Sequence, residues 1–172
     1  MYLFWLKRNK TMENKSIDWS NIELLLLDFD GVFTDGFVYV DQNGIESVRC
    51  SRRDSLGISR IQEKGVKVGV ISREKNPVVL RRCEKIGIPA HTGILNKIET
   101  LKETIKKYGV EPNNVCYVGD DIIDIECMEF VGIGVAVADA MNEVKEIADY
   151  VAERKGGEHA IREICDNIYS SL

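Results

Sequence analysis

Residues 24–27 are four consecutive leucines, and the next four residues are Asp28, Phe29, Asp30 and Gly31. An unbroken apolar run of this length reads as a strand covered on both faces, the situation of a central strand in a parallel sheet. Carboxylates at the end of such a strand are costly unless a cation or a set of donors receives them. Gly31 allows a sharp turn where a side chain would obstruct a ligand. In open α/β sheets the carboxyl ends of the strands are where ligands bind. As a bare Asp-Gly pair, however, the string reads equally as a strand followed by an Asx turn.

Downstream, apolar runs alternate with helical patterns. Phe37–Val40 and Ile45–Val48 flank Asp41-Gln42-Asn43-Gly44, whose Asn-Gly signals a hairpin. Helices are predicted over Asp54–Lys64, from Pro77 to Lys85, over Asn96–Tyr108, near Ile123–Phe130, near Asn142–Ala148 and over about Glu158–Ile168. Strands are predicted at Val66–Ile71, Ile88–His91, Val115–Val118 and Ile133–Val137. This alternation predicts an α/β fold, a single Rossmann-like doubly wound parallel sheet with a β-hairpin flap and no cap domain. Residues 1–16 read as a disordered extension, with Met12 an alternative start, and 17–172 as the folded domain.

A formal charge of -5 disfavours nucleic acid and anionic membranes as partners. Five cysteines, at 50, 83, 116, 127 and 165, form no Cys-x-x-Cys pair, which fits reduced thiols in a cytoplasmic protein. The opening Met-Tyr-Leu-Phe-Trp-Leu is too short for a signal-peptide core or a membrane span.

Several predicted strands end in reactive residues: Asp28 and Asp30, then Ser72, then Asp120 and Asp121. A parallel sheet points all these ends to one edge, and Lys97, at the start of the Asn96–Tyr108 helix, can join them from the side. Carboxylates with one hydroxyl and one lysine suit Mg²⁺ and phosphate. Taken singly, Asp124 reads equally as a helix-start cap, Asp121 is open to the same reading, and a solvated surface lysine is the lesser alternative for Lys97.

Together Asp28-Phe29-Asp30-Gly31-Val32, Ser72, Lys97 and Gly119-Asp120-Asp121-Ile122-Ile123-Asp124 resemble, in order and in placement, the four motifs of the haloacid dehalogenase-like superfamily. That resemblance implies that Asp28 is a nucleophile forming an aspartyl phosphate and that Asp30 is the acid/base. It also implies that Ser72 and Lys97 grip the phosphoryl oxygens, and that Asp28, the Asp30 carbonyl and Asp120 hold Mg²⁺ with support from Asp121 and Asp124. No room for a cap domain lies between Asp35 and Ser72. Capless relatives often rely on a macromolecular substrate or on a neighbouring subunit, and the resemblance implies a homotetramer with the apolar hairpin between subunits.

Within the superfamily, Asp30-Gly31-Val32-Phe33-Thr34-Asp35-Gly36, Arg53-Asp54-Ser55-Leu56-Gly57-Ile58 and Gly156-Gly157-x-x-Ala160-Ile161-Arg162-Glu163 are similar to the small phosphatases of 3-deoxy-2-ulosonic acid metabolism. His159 stands where that tail usually has glycine. The Kdo 8-phosphate enzymes usually follow motif two with Gly-Arg, whereas Ser72-Arg73-Glu74-Lys75 looks more like the nine-carbon acid 9-phosphate phosphatases. The resemblance therefore implies a small-molecule sugar-acid phosphate, nine-carbon preferred and Kdo 8-phosphate the alternative. Substrate contacts are expected at Thr34, Arg53, Glu74, Arg82, Lys85 and Arg162, although a basic helix face is also commonly just solvated. Two rivals are disfavoured: a noncatalytic domain of the kind appended to some sialate cytidylyltransferases, because Asp28 and Asp30 are both intact, and a phospho-acceptor receiver domain, whose acceptor lies on the third strand.

Overall fold

A computed structural model describes residues 17–172, and the expected extension over 1–16 lies outside the described residues. The four leucines form β1 (Leu24–Leu27), fully buried on both faces. It lies between β4 (Lys67–Ile71) and β6 (Val115–Gly119), Leu24 pairing with Lys67 and Val115 and Leu27 with Val70 and Val118. With β5 (Ala90–His91), β7 (Ile133–Ala136) and β8 (Tyr150–Val151) the sheet has the order β5-β4-β1-β6-β7-β8, and every neighbouring pair is parallel. From β1 the chain builds outward through β4 to β5, then crosses to the other side and builds through β6 and β7 to β8. The topological switch therefore falls at β1, and its carboxyl end is where a ligand crevice opens. Burying each leucine there contributes about 2 kcal/mol. The sequence reading missed β8, whose two residues are too few to carry a period.

The hairpin strands β2 (Tyr39–Val40) and β3 (Glu46–Ser47) pair antiparallel, Tyr39 with Ser47 and Val40 with Glu46. Asp41 Oδ1 closes the turn by accepting from the Asn43 and Ile45 amides at 2.8 and 2.9 Å. Each strand is shorter than the four residues expected, because among the described residues no second layer lies beneath it and Phe37, Val38, Tyr39, Val40 and Ile45 stay exposed. Among the described residues no helix is long and apolar enough to cross a membrane.

The helices are α1 (Arg52–Glu63), α2 (Val78–Ile86), α3 (Lys97–Tyr108), α4 (Ile125–Phe130), α5 (Asn142–Ile147) and α6 (Ala160–Ser171). Helix α1 begins two residues before the expected Asp54, because Ser51 Oγ caps it by accepting from the Arg53 amide at 3.0 Å. Helix α6 begins at Ala160 instead of Glu158, because His159 adopts φ 82°, in the left-handed region. That conformation explains the glycine usual at this position, and it costs a β-carbon-bearing residue about 1–2 kcal/mol. A hydrogen-bond contact of 2.8 Å between His159 Nδ1 and Ser51 Oγ ties the strained residue to the cap of α1.

Asp54 joins the same two helices. It is fully buried, and its Oδ1 accepts from the Arg162 amide at 2.9 Å. Burial pushes its pKa up from 3.8 to about 6, against the pull of that hydrogen bond and of the nearby arginines. The folded state therefore keeps a proton that the unfolded chain has already lost, so stability falls as pH rises from about 4 to 6 and is flat above, by at most about 3 kcal/mol. Asp54→Asn keeps the acceptor and is expected to remove that slope and to be the more stable protein at neutral pH. Urea unfolding across this window is the check, and parallel pH profiles for the two proteins would contradict the assignment.

Candidate active site

The strand ends deliver their polar residues to one crevice. A cavity of about 150 Å³ is lined by Asp28, Asp30, Ser72, Arg73, Glu74, Lys97, Asp120, Asp121 and Ile123. Asp28 leaves β1 nearly buried, its amide bonded to the Val118 carbonyl and its Oδ1 accepting from the Phe29 amide at 2.7 Å. Lys97 occupies the first turn of α3, which Asn96 caps, and is itself buried. Its Nζ bridges Asp28 Oδ1 and Asp124 Oδ1, both at 2.8 Å. Asp124 is saturated: the Tyr117 hydroxyl also donates to Oδ1 at 2.7 Å, and the Asp120 and Asp121 amides donate to Oδ2 at 3.2 and 3.4 Å. Asp120, by contrast, projects its carboxylate toward Gly31. A β-carbon at Gly31 would collide with Asp120 Oδ2, and φ there is 78°. Glycine is thus required both for the turn and for the room.

One oxygen from each of Asp28, Asp120 and Asp124 lies within 4.8 Å of the others, the separation that permits shared binding of a cation. Burial, followed by the charge of Asp124, pushes Asp28 up to about 8, with Lys97 opposing the shift. Burial, followed by Asp124 and Asp121, pushes Asp120 up to about 7. Asp30 is also raised, mainly by burial and then by Glu74. Five carboxylates line the cavity against the two cations Arg73 and Lys97. Such a crevice repels a phosphate ester until a divalent cation is added, and the donor set of carboxylate and carbonyl oxygens suits a hard ion.

Ser72 follows β4 directly, with its amide on the His91 carbonyl and its Oγ accepting from the Glu74 amide at 3.0 Å. The hydroxyl hydrogen is therefore free to point at a ligand. The glycine pair of the tail underlies the first loop: a β-carbon on Gly156 would strike the Gly31 and Thr34 carbonyls, and the Gly157 amide donates to Val32 O at 3.1 Å.

The expected substrate residues divide. Glu74 lines the cavity, whereas Thr34, Arg53, Arg82, Lys85 and Arg162 do not. Thr34 is fully buried and its hydroxyl accepts from the Gly31 and Gly36 amides, so it shapes the loop from within. Arg82 turns to α1 and donates to the Ser51 carbonyl and Ser55 Oγ. Arg162 pairs with Asp166 at 2.7 Å, and with Arg53 it lines a separate cavity of about 720 Å³ beside Tyr150 and His159. Lys85 lies exposed near the end of α2. Two contributors went unassigned in the sequence reading. Arg73 lines the cavity, its only signal being its place next to Ser72, and Tyr117 anchors Asp124, signalled by a lone hydroxyl within an apolar strand.

Known proteins resemble this chain in sequence and in fold. Residues 91–163 match the haloacid dehalogenase-like hydrolase family. The 3-deoxy-D-manno-octulosonate 8-phosphate phosphatase KdsC of Escherichia coli K12 is 42% identical over 147 residues, covering 85% of this chain and 78% of that protein. The crystal structure of the 3-deoxy-D-manno-octulosonate 8-phosphate phosphatase of Yersinia pestis superposes with a TM-score of 0.87 at 35% identity, over 90% of this chain and 84% of that one. The enzyme of the same name from Moraxella catarrhalis, solved in complex with magnesium, phosphate and KDO, superposes with a TM-score of 0.87 at 28% identity, over 90% of each chain.

Proposed function

The chain belongs to the haloacid dehalogenase-like hydrolases and is a phosphoric monoester hydrolase, and from that premise we propose that it hydrolyses 3-deoxy-D-manno-octulosonate 8-phosphate with Mg²⁺. The observation that carries this reading is the convergence of Asp28, Asp30, Ser72, Lys97 and Asp120 on one cavity, in a chain 42% identical to KdsC.

In this reading Asp28, the Asp30 carbonyl and Asp120 hold the cation. Asp124, its oxygens already committed to four donors, supports from behind with Asp121. When bound, Mg²⁺ neutralises the carboxylates and lets an anionic phosphoryl group approach. Asp28 attacks phosphorus, aided by Lys97, which keeps the carboxylate in place and offsets charge on the transferring group. Asp30, its pKa pushed up by partial burial and then by Glu74, gives its proton to the leaving alcohol and then takes one from the attacking water. Ser72 Oγ and Arg73 receive the phosphoryl oxygens or the sugar-acid carboxylate. Chelation with EDTA is expected to abolish phosphate release and added Mg²⁺ to restore it; release that survives chelation would contradict the cation's place in the reaction.

The sequence pattern preferred a nine-carbon substrate, and the relatives move that preference to eight carbons. The nine-carbon 9-phosphate remains as the second reading, favoured by Glu74 in the cavity after Ser72-Arg73. Comparing kcat/KM on Kdo 8-phosphate with that on KDN or N-acetylneuraminate 9-phosphate tests the choice. The eight-carbon ester is expected to win by at least about tenfold, and the reverse order would establish the second reading. The exposed hairpin residues, Phe37 at 72% above all, fit the homotetramer implied by the family. Sedimentation equilibrium should return four copies, and a monomer would contradict this.

A further inference from the structure

A continuous chain of hydrogen bonds runs from the cavity to the hairpin. Ser72 Oγ accepts from the Glu74 amide at 3.0 Å, and Glu74 Oε1 accepts from the Lys75 and Asn76 amides, both at 2.6 Å. Asn76 then does two things with one side chain. Its Oδ1 accepts from the Val78 amide at 3.0 Å at the start of α2, and its Nδ2 donates to Glu46 Oε2 at 3.0 Å on β3. Among the described residues, no other hydrogen bond or ion pair joins residues 38–47 to the rest of the protein. Within one copy the two strands form a sheet only with each other, so the placement of the hairpin beside its own cavity rests on this contact.

We propose that Asn76 is a positioning residue for the phosphatase reaction: its amide clamps the hairpin to the loop bearing Ser72, fixing Glu46 and Glu74 as a carboxylate lip that receives the hydroxyl-rich alcohol portion of the substrate. The inference rests on the phosphatase reading and goes beyond it by assigning the wall that meets the leaving group. An amide is the side chain that can accept from Val78 and donate to Glu46 at once. Glu46 and Glu74 each keep one carboxylate oxygen outside these bonds, and free carboxylate oxygens are strong acceptors for sugar hydroxyls. An ester with no polyol would gain nothing from such a lip.

The variant N76D separates the two duties. It keeps an acceptor for α2, loses the donor and sets a negative charge against Glu46. The double variant N76D/E46Q restores a hydrogen bond with donor and acceptor exchanged. Two readouts apply to each protein: amide hydrogen exchange over 37–48, and kcat and KM on Kdo 8-phosphate and on p-nitrophenyl phosphate, which has no polyol. N76D is expected to speed hairpin exchange by about tenfold. It is expected to raise KM for the sugar-acid ester by about tenfold with kcat and p-nitrophenyl phosphate turnover within about twofold, and N76D/E46Q, which regains the clamp but gives up the Glu46 carboxylate, is expected to recover the exchange rate and only part of the KM. Unchanged exchange in N76D, equal losses on both esters, or no recovery of exchange in the double variant each overturns the proposal. If the wild-type protein hydrolyses neither ester, the phosphatase reading fails, and the exchange data still decide whether Asn76 clamps the hairpin.

Discussion

Asp28→Asn is expected to lower phosphate release by on the order of 10⁴-fold or more, with the fold intact. The amide is nearly isosteric, and its Oδ1 can still accept from the Phe29 amide and from Lys97 Nζ. What it lacks is an oxygen able to attack phosphorus and a charge to hold Mg²⁺. Stability should move differently from activity. Asp28 is pushed up by burial and by Asp124, so its charge opposes folding even beside Lys97. Without added divalent ion, D28N is therefore expected to unfold within about 1 kcal/mol of the wild-type protein or above it. Mg²⁺ should raise the melting temperature of the wild type alone. Assays of phosphate release with and without Mg²⁺, paired with thermal melts, read all three, and a residual rate within tenfold of wild type would remove Asp28 from the chemistry.

The largest effect on stability is expected at Lys97. Its ammonium group is all but inaccessible, and it bridges two buried carboxylates. Lys97→Met fills the same volume without charge, leaving Asp28 and Asp124 facing each other. Stranding a buried charge in this way costs about 3–5 kcal/mol, which lowers Tm by about 10 °C in a chain of this size. Tyr117 and the Asp120 and Asp121 amides still serve Asp124, so the loss falls mainly on Asp28. Activity should fall as well, by about 10²–10³-fold, through lost stabilisation of the transferring phosphoryl group. Added Mg²⁺ is expected to recover part of the stability, because it neutralises the same carboxylates, but not the activity. Urea unfolding with and without Mg²⁺ makes the separation, and a metal-free K97M protein as stable as the wild type would show that the bridge carries no weight.

The site's backbone was legible in the sequence where chemistry and topology coincide. Four leucines can be buried on both faces in few ways, so β1 and the placement of Asp28 and Asp30 followed directly. Ser72, Lys97 and Asp120 followed because parallel strands share one carboxyl edge. The basic residues were a different matter. Arg53, Arg82, Lys85 and Arg162 sit on helices where a cation serving substrate and a cation serving a neighbour have the same period. Arg82 turns to a partner supplied by another element, Ser55 on α1, whereas Arg162 turns to Asp166 one turn further along its own helix. Thr34 carries a related ambiguity: a hydroxyl beside a reactive loop can face the ligand or hold the loop, and two backbone amides claim it here. Asp54 gave no sign of burial, since its setting comes from α6, distant in sequence.

In the proposed reaction phosphoryl transfer proceeds in two displacements, first to Asp28 and then to water, and the configuration at phosphorus reads this directly. Hydrolysis of Kdo 8-phosphate made chiral with oxygen isotopes, with Mg²⁺ present, is predicted to release phosphate with overall retention, since two inversions cancel. Inversion would mean that water attacks the ester itself and that Asp28 is no nucleophile. Failure to release phosphate at all would contradict the phosphatase reading.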